Sequence, residues 1–166
     1  MQEELTALGF TPDPSAPILC RFLYDDITVD MMPDDEKVLG FSNPWYKPGL
    51  LTLQQHALPG GPEIQIFTLP YFLATKFSTF HGRGRGDYRG SHDFEDIIYL
   101  TDNATQVVSL IAKADAPVRH FVKAQYQRVW DNPYRSEIIS SHLSPLLAAE
   151  RFAIVEKKIE AILNIP

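Results

Sequence analysis

Three consecutive stretches decide the reading: PYFLATKFSTF over residues 70–80, HGRGRGDYRG over 81–90 and SHDFEDIIYL over 91–100. Pro70 suits the first turn of a helix, where its missing N–H would have had no intrahelical partner. From there the spacing of Phe72, Leu73, Phe77 and Phe80 predicts a helix to about Phe80 with one apolar stripe. Glycines end it, and Ser91 is a good N-cap for a second helix running through Leu100.

Working outward, the preceding residues are strand-like and rich in turns. Glu3 to Leu8 reads as the closing turns of a helix stopped by Gly9. Ile18 to Tyr24 and Ile27 to Met32 are β-branched and aromatic runs around Asp25-Asp26, which predicts a hairpin. Leu51 to Ala57 and Glu63 to Thr68 flank Pro59-Gly60-Gly61-Pro62 as a second hairpin or a return strand. Downstream, helices are expected from Asp102 or Asn103 to Ala114, from Asp115-Ala116-Pro117 through Trp130, and from Ser144-Pro145 to the end. The expected fold is α+β: a small mixed or antiparallel sheet over residues 1–69, followed by a helical bundle over 70–166.

Composition bounds the function. With 166 residues, 45% hydrophobic and 22% charged, the chain can bury a core, which excludes a disordered polymer. No apolar run reaches the roughly 18 residues of a membrane span. Met1-Gln2-Glu3-Glu4 has no apolar block behind it, so no secretory leader is expected. Cys20 is alone, which leaves no internal disulfide or thiolate metal cluster and makes the cytoplasm the expected compartment. A net charge of −6 argues against generic nucleic-acid binding and confines polyanion recognition to a local basic patch. The five histidines show no paired metal spacing, and no nucleophile elbow, Walker loop or dinucleotide fingerprint is present.

Four places carry candidate chemistry. Lys76 lies four residues from both Phe72 and Phe80, on or beside the apolar stripe. An ammonium there either snorkels to water or is held for an anion such as a phosphate. Asp93 and Asp96 are three apart and share a helix face; the helix dipole accounts for an acid at Asp93 better than for the deeper Asp96. The loop 81–90 collects four of the nine glycines with Arg83, Arg85 and Arg89. It is either a solvated connector or a flexible arginine fork for phosphates or RNA. Asp30 falls opposite Arg21 if Asp25-Asp26 is a two-residue turn, so it is either a cross-strand ion pair or a strand-held metal carboxylate. Asp34-Asp35-Glu36 is read as solvated, and Arg85-Gly86-Asp87 as a chance adhesion tripeptide.

Leu73-Ala-Thr-Lys76, the Gly/Arg loop and Ser91-His-Asp-Phe-Glu-Asp96 together resemble the nucleotidyltransferases of the AbiEii toxin type, a branch of the DNA polymerase β-like superfamily. Ile27-Thr-Val-Asp-Met-Met-Pro33 and Val38-Leu-Gly-Phe-Ser-Asn-Pro-Trp-Tyr46 extend the resemblance over roughly residues 3 to 102. It implies transfer of a nucleoside monophosphate from an NTP to an acceptor hydroxyl, with Mg²⁺ neutralising the phosphates. Asp30 would be the strand carboxylate at the metal, and Lys76 would contact the phosphates. Asp93 and Asp96 would line the site, and Arg83, Arg85 and Arg89 would assist substrate binding. RNA, including tRNA ends, serves as acceptor in some members, and an antitoxin controls activity. The family's Gly-Ser turn and Asp-x-Asp strand are absent, so the chain is expected to be the downstream portion of such a domain or a degenerate relative, and inactive alone because Asp30 by itself cannot assemble a two-metal site. An incomplete sheet would leave an edge open to an antitoxin or a second copy. The competing expectations are a non-enzymatic nucleotide- or RNA-binding module built on loop 81–90, and a regulatory partner docking through its helical half.

Overall fold

The structure is a computed structural model, and it describes residues 2–16, 20–31, 43–82, 84 and 86–166. Ile18, Met32, Pro33, Asp34-Asp35-Glu36, Val38 to Ser42, Arg83 and Arg85 lie outside the described residues. The chain is mixed α and β with antiparallel sheets, and it divides into two compact units, residues 1–42 and 43–166. That division falls earlier in the chain than the change from strand to helix near residue 69.

In the first unit, α1 (Gln2–Ala7) leads into β1 (Thr11–Pro12), β2 (Arg21–Tyr24) and β3 (Ile27–Asp30). The three strands form one antiparallel sheet in the order β1-β2-β3. The turn at Asp25-Asp26 sets the register: Tyr24 pairs with Ile27 and Arg21 with Asp30. Asp25 supplies the left-handed backbone that such a tight turn needs, at φ 51°. The strands are shorter than the apolar runs suggested, with β3 ending at Asp30.

The second unit opens on α2 (Tyr46–Leu50), a short helix that the strand-like composition before residue 69 concealed. Gly49 lets it sit close to Phe67; a β-carbon there would fall 2.3 Å from that ring. A separate two-stranded antiparallel sheet follows, β4 (Gln54–Ala57) with β5 (Glu63–Ile66), so the expected single sheet is two. The helices are α3 (Leu69–His81), α4 (His92–Asn103), α5 (Val107–Lys113), α6 (Ala116–Trp130), α7 (Arg135–Ser140) and α8 (Ala148–Leu163). Thr68 and Pro70 open α3, and the Ser91 hydroxyl accepts the Phe94 N–H to open α4.

Asp102 and Asn103 close α4 instead of opening α5. The cause is charge. Lys158 of α8 donates to the carbonyls of Thr101, Asp102 and Ala104 at 2.9, 2.7 and 3.2 Å, capping the negative end of α4. Arg151 meanwhile takes Asp102 Oδ2 at 2.8 Å, tying that side chain to α8. The core collects Leu73, Phe77, Phe80, Phe94, Ile97, Val122, Tyr126, Val155 and Ile159, all essentially buried, from α3, α4, α6 and α8. At its centre Thr101 Oγ1 and Tyr126 Oη meet at 2.7 Å, and Thr101 also donates to the Ile97 carbonyl.

Candidate functional site

The site rests on the contact between α3 and α4, which brings side chains from either end of the Gly/Arg loop together. Leu73, Ala74, Phe77 and Phe80 bury one face of α3, while Phe94, Ile97, Ile98 and Thr101 bury the facing side of α4. Lys76 then falls at the edge of that interface, with its side chain 21% exposed. Its Nζ lies 2.5 Å from Asp96 Oδ2 and 3.4 Å from Asp93 Oδ1. It also stands 5.5 Å from the centroid of the Phe72 ring, one turn back on its own helix. Lys76, Asp93 and Asp96 thus come together where α3 meets α4.

The two carboxylates differ in exposure, which divides their work. Asp93 is 6% exposed, Asp96 48%. A nearly buried carboxylate must keep its partners, because leaving it unpaired carries a large desolvation penalty. One that is half in water can exchange its partner at little cost. The half-exposed Asp96 is the closer partner of the amine and the nearly buried Asp93 the more distant one. The set carries one positive and two negative charges.

The Gly/Arg loop is more tightly held than its composition suggested. Tyr88 packs its ring against Phe80 at 4.8 Å and edge-on against Phe94 at 4.8 Å between centroids. Burial raises the Tyr88 pKa. His142 Nε2 lies 2.7 Å from the Tyr88 carbonyl, in donor range. Asp87 Oδ1 accepts the Arg89 and Gly90 N–H groups, which hold its carboxyl below the usual range. Gly84 is required by space: a β-carbon would lie 2.5 Å from the Phe80 carbonyl oxygen. The expectation of a freely flexible loop thus fails at its C-terminal half, because an aromatic residue there belongs to the core. Arg89 donates to Glu137 at 2.8 Å in a surface pair and lies over the Tyr134 ring. Arg83 and Arg85 lie outside the described residues.

Asp30 belongs to the first unit. Both its oxygens are taken by Arg21, at 2.7 and 2.8 Å, in a bidentate pair across β2 and β3. The guanidinium lowers the Asp30 pKa and the carboxylate raises that of Arg21. The described geometry is the cross-strand ion pair. Because the folded pKa is depressed, the pair stabilises the hairpin above the ordinary carboxyl value of about 3.9 and is lost as pH falls through the folded value. Protection factors of the amides in β2 and β3, taken against the intrinsic exchange rate at each pH, are expected to fall as the pH drops from about 5 toward 3. Asp30→Asn should remove that acid step; an identical acid profile in the variant would assign the step to other groups.

Asn43 is a structural contributor that the candidate set lacked. Buried, it donates to the Thr75 carbonyl at 3.0 Å and the Thr79 hydroxyl at 3.3 Å, and its Oδ1 accepts the Trp45 N–H. It thereby fastens the Asn-Pro-Trp-Tyr run to the helix that carries Lys76. Its signal was its place in the 38–46 motif, with no periodicity to mark it. His92, by contrast, stands 96% exposed and meets Glu95 at 3.1 Å. Among the described residues no three acids, histidines or cysteines form a group that could hold a metal, and no helix is long and apolar enough to cross a membrane. No family model, curated protein or solved structure matches the chain.

Proposed function

We propose that this chain is nucleotidyltransferase-like: it takes an NTP whose phosphates reach Lys76 and, once the absent Asp-x-Asp strand is supplied, passes the nucleoside monophosphate to an acceptor hydroxyl, with RNA or a tRNA end as the acceptor class. One observation supports it above the others: Lys76 stands at the α3–α4 contact between two acids of one helix, the half-exposed Asp96 at 2.5 Å and the nearly buried Asp93 at 3.4 Å. An incoming triphosphate can compete with Asp96 for the ammonium, because that carboxylate is half in water and exchanges its partner at little cost. Transfer of this kind is mainly positioning and charge neutralisation: the acceptor oxygen bonds to the α-phosphorus as pyrophosphate leaves. A lysine held between two helices suits that work better than one on a loop, because packing fixes its direction.

Mg²⁺ belongs to the proposed chemistry, but the described residues do not build a resident site for it. No three-ligand group forms among them, and Arg21 occupies both oxygens of Asp30. No step is assigned here to the ion. Pairing with an antitoxin or a second copy is proposed at a sheet edge, since β3 and the β4–β5 hairpin each leave a side unpaired among the described residues.

Titration calorimetry with ATP and with inorganic tripolyphosphate tests the reading. Lys76→Ala is expected to weaken both at least tenfold, about 1.4 kcal/mol. Asp96→Asn should retain or improve tripolyphosphate affinity, because it removes a competitor for the amine. Unchanged affinity in a Lys76→Ala protein that melts as the parent does would sink the proposal.

A further inference from the structure

A cavity of about 260 Å³ lies between the start of α3 and the connector from α5 to α6, with Lys113 and Asp115 both in its lining. Only Ala114 separates these two residues, and its backbone is extended at φ −71° and ψ 159°. Side chains on either side of an extended residue leave the chain in the same direction. An ammonium and a carboxylate so placed could close on each other. They do not: no ion pair joins them, and the Lys113 ammonium has no partner among the described residues.

The carboxylate is turned elsewhere. Asp115 stands at the N-cap of α6 but accepts no capping bond there. Its Oδ2 accepts the Tyr71 hydroxyl instead, at 3.1 Å and 44 residues away in sequence, and its Oδ1 has no described partner. Tyr71 also lines the cavity and is 7% exposed. Burial, and then Asp115, raise its pKa, so at neutral pH the phenol donates to Asp115 and keeps its own lone pairs for a further donor.

These groups specify a dipolar occupant. A lone anion would meet Asp115 and a lone cation Lys113, each facing a like charge in one small space. A molecule that carries both signs satisfies both. The volume lies below that of sites for drug-sized ligands, so the molecule has few heavy atoms. Pro70 and Leu110 give the cavity apolar wall, which suits a short aliphatic side chain.

We propose that this cavity binds a small free amino acid as its zwitterion, with Lys113 on the carboxylate and Asp115 with Tyr71 on the ammonium. The site is separate from the Lys76 cluster and does not rest on the nucleotidyltransferase reading. The bound ligand ties the α5–α6 connector to the helix that carries Lys76.

Amide chemical-shift titrations of the full chain with L-alanine, acetate and methylammonium test it. L-Alanine is expected to shift the amides of Leu69, Tyr71 and residues 113–115 saturably. Acetate and methylammonium should each bind about tenfold more weakly or worse, because each meets one half of the site and is repelled by the other. Lys113→Met changes an exposed residue, and Asp115→Asn keeps an oxygen for the Tyr71 hydroxyl, so both should melt as the parent does. Each should weaken L-alanine by about fivefold or more. If neither glycine, L-alanine, L-serine nor L-valine shifts those amides, or if both variants bind as the parent does, the site falls. Acetate binding as tightly as L-alanine with Asp115→Asn neutral would make it an anion site and overturn the proposal. Methylammonium binding as tightly with Lys113→Met neutral would overturn it in favour of a cation site.

Discussion

Phe94→Ala is expected to destabilise the helical unit by about 3–5 kcal/mol, the cost of emptying a large, fully buried aromatic site. Phe94 is 0% exposed, and its ring meets Phe80 at 5.2 Å, Tyr88 at 4.8 Å and His142 at 5.4 Å. The hole would open where α3, α4 and the Gly/Arg loop join. Collapse around it is restricted because three of the neighbours are rings with fixed shapes. The N-cap bond from Phe94 N–H to Ser91 is a backbone contact and survives, so the loss would be one of packing. Two measurements check it. The denaturant midpoint should fall with an unchanged m-value, and amide exchange across 88–90 should rise more than in α8. A loss below about 1 kcal/mol would mean that the aromatic cluster does not hold the loop.

Lys158→Met is expected to cost about 2–3 kcal/mol, although it removes a charge from a partly buried place. Two effects oppose each other. Burial pushes the Lys158 pKa down, so the protein gains something by losing the ammonium. Against this, the Thr101 and Asp102 carbonyls at the end of α4 lose the Lys158 donor together, and Thr101 is wholly buried; the Ala104 carbonyl keeps the Val107 N–H at 3.4 Å. The loss of that donor outweighs the gain, because methionine covers the carbonyls without satisfying them. Lys158→Arg should recover part of the loss through its fork of donors. A methionine variant as stable as the parent would show that desolvation dominates here.

The sequence made the centre of the molecule legible and its borders less so. Pro70 and Ser91 are strong local signals whose effect does not depend on distant residues, and both mark the starts of their helices. Helix spacing put Asp93 and Asp96 on one face and Lys76 beside the apolar stripe of its own helix, but bringing the three together rested on the family resemblance. Arg21 opposite Asp30 followed from turn length alone. The residues that escaped depend on contacts far along the chain. Arg89 reaches Glu137 across 48 residues and Lys158 reaches Asp102 across 56, and neither has a local pattern. Tyr88 was hidden for another reason: the glycines and arginines around it spoke for solvent, and one aromatic ring outweighed them. The short helices α2 and α7 were missed because a turn or two gives periodicity too little length to register.

The cap that Lys158 places on α4 also has a bearing on biosynthesis. The Asp102 carbonyl leaves the ribosome 56 residues ahead of the lysine that satisfies it, an interval of about 3–10 s at ordinary elongation rates. During that interval the nascent α3–α4 pair lacks both its terminal cation and the apolar face of α8. Completion of the helical unit is thereby deferred until residue 158 has emerged, and chains broken off before that point should be treated by proteases and chaperones as unfinished.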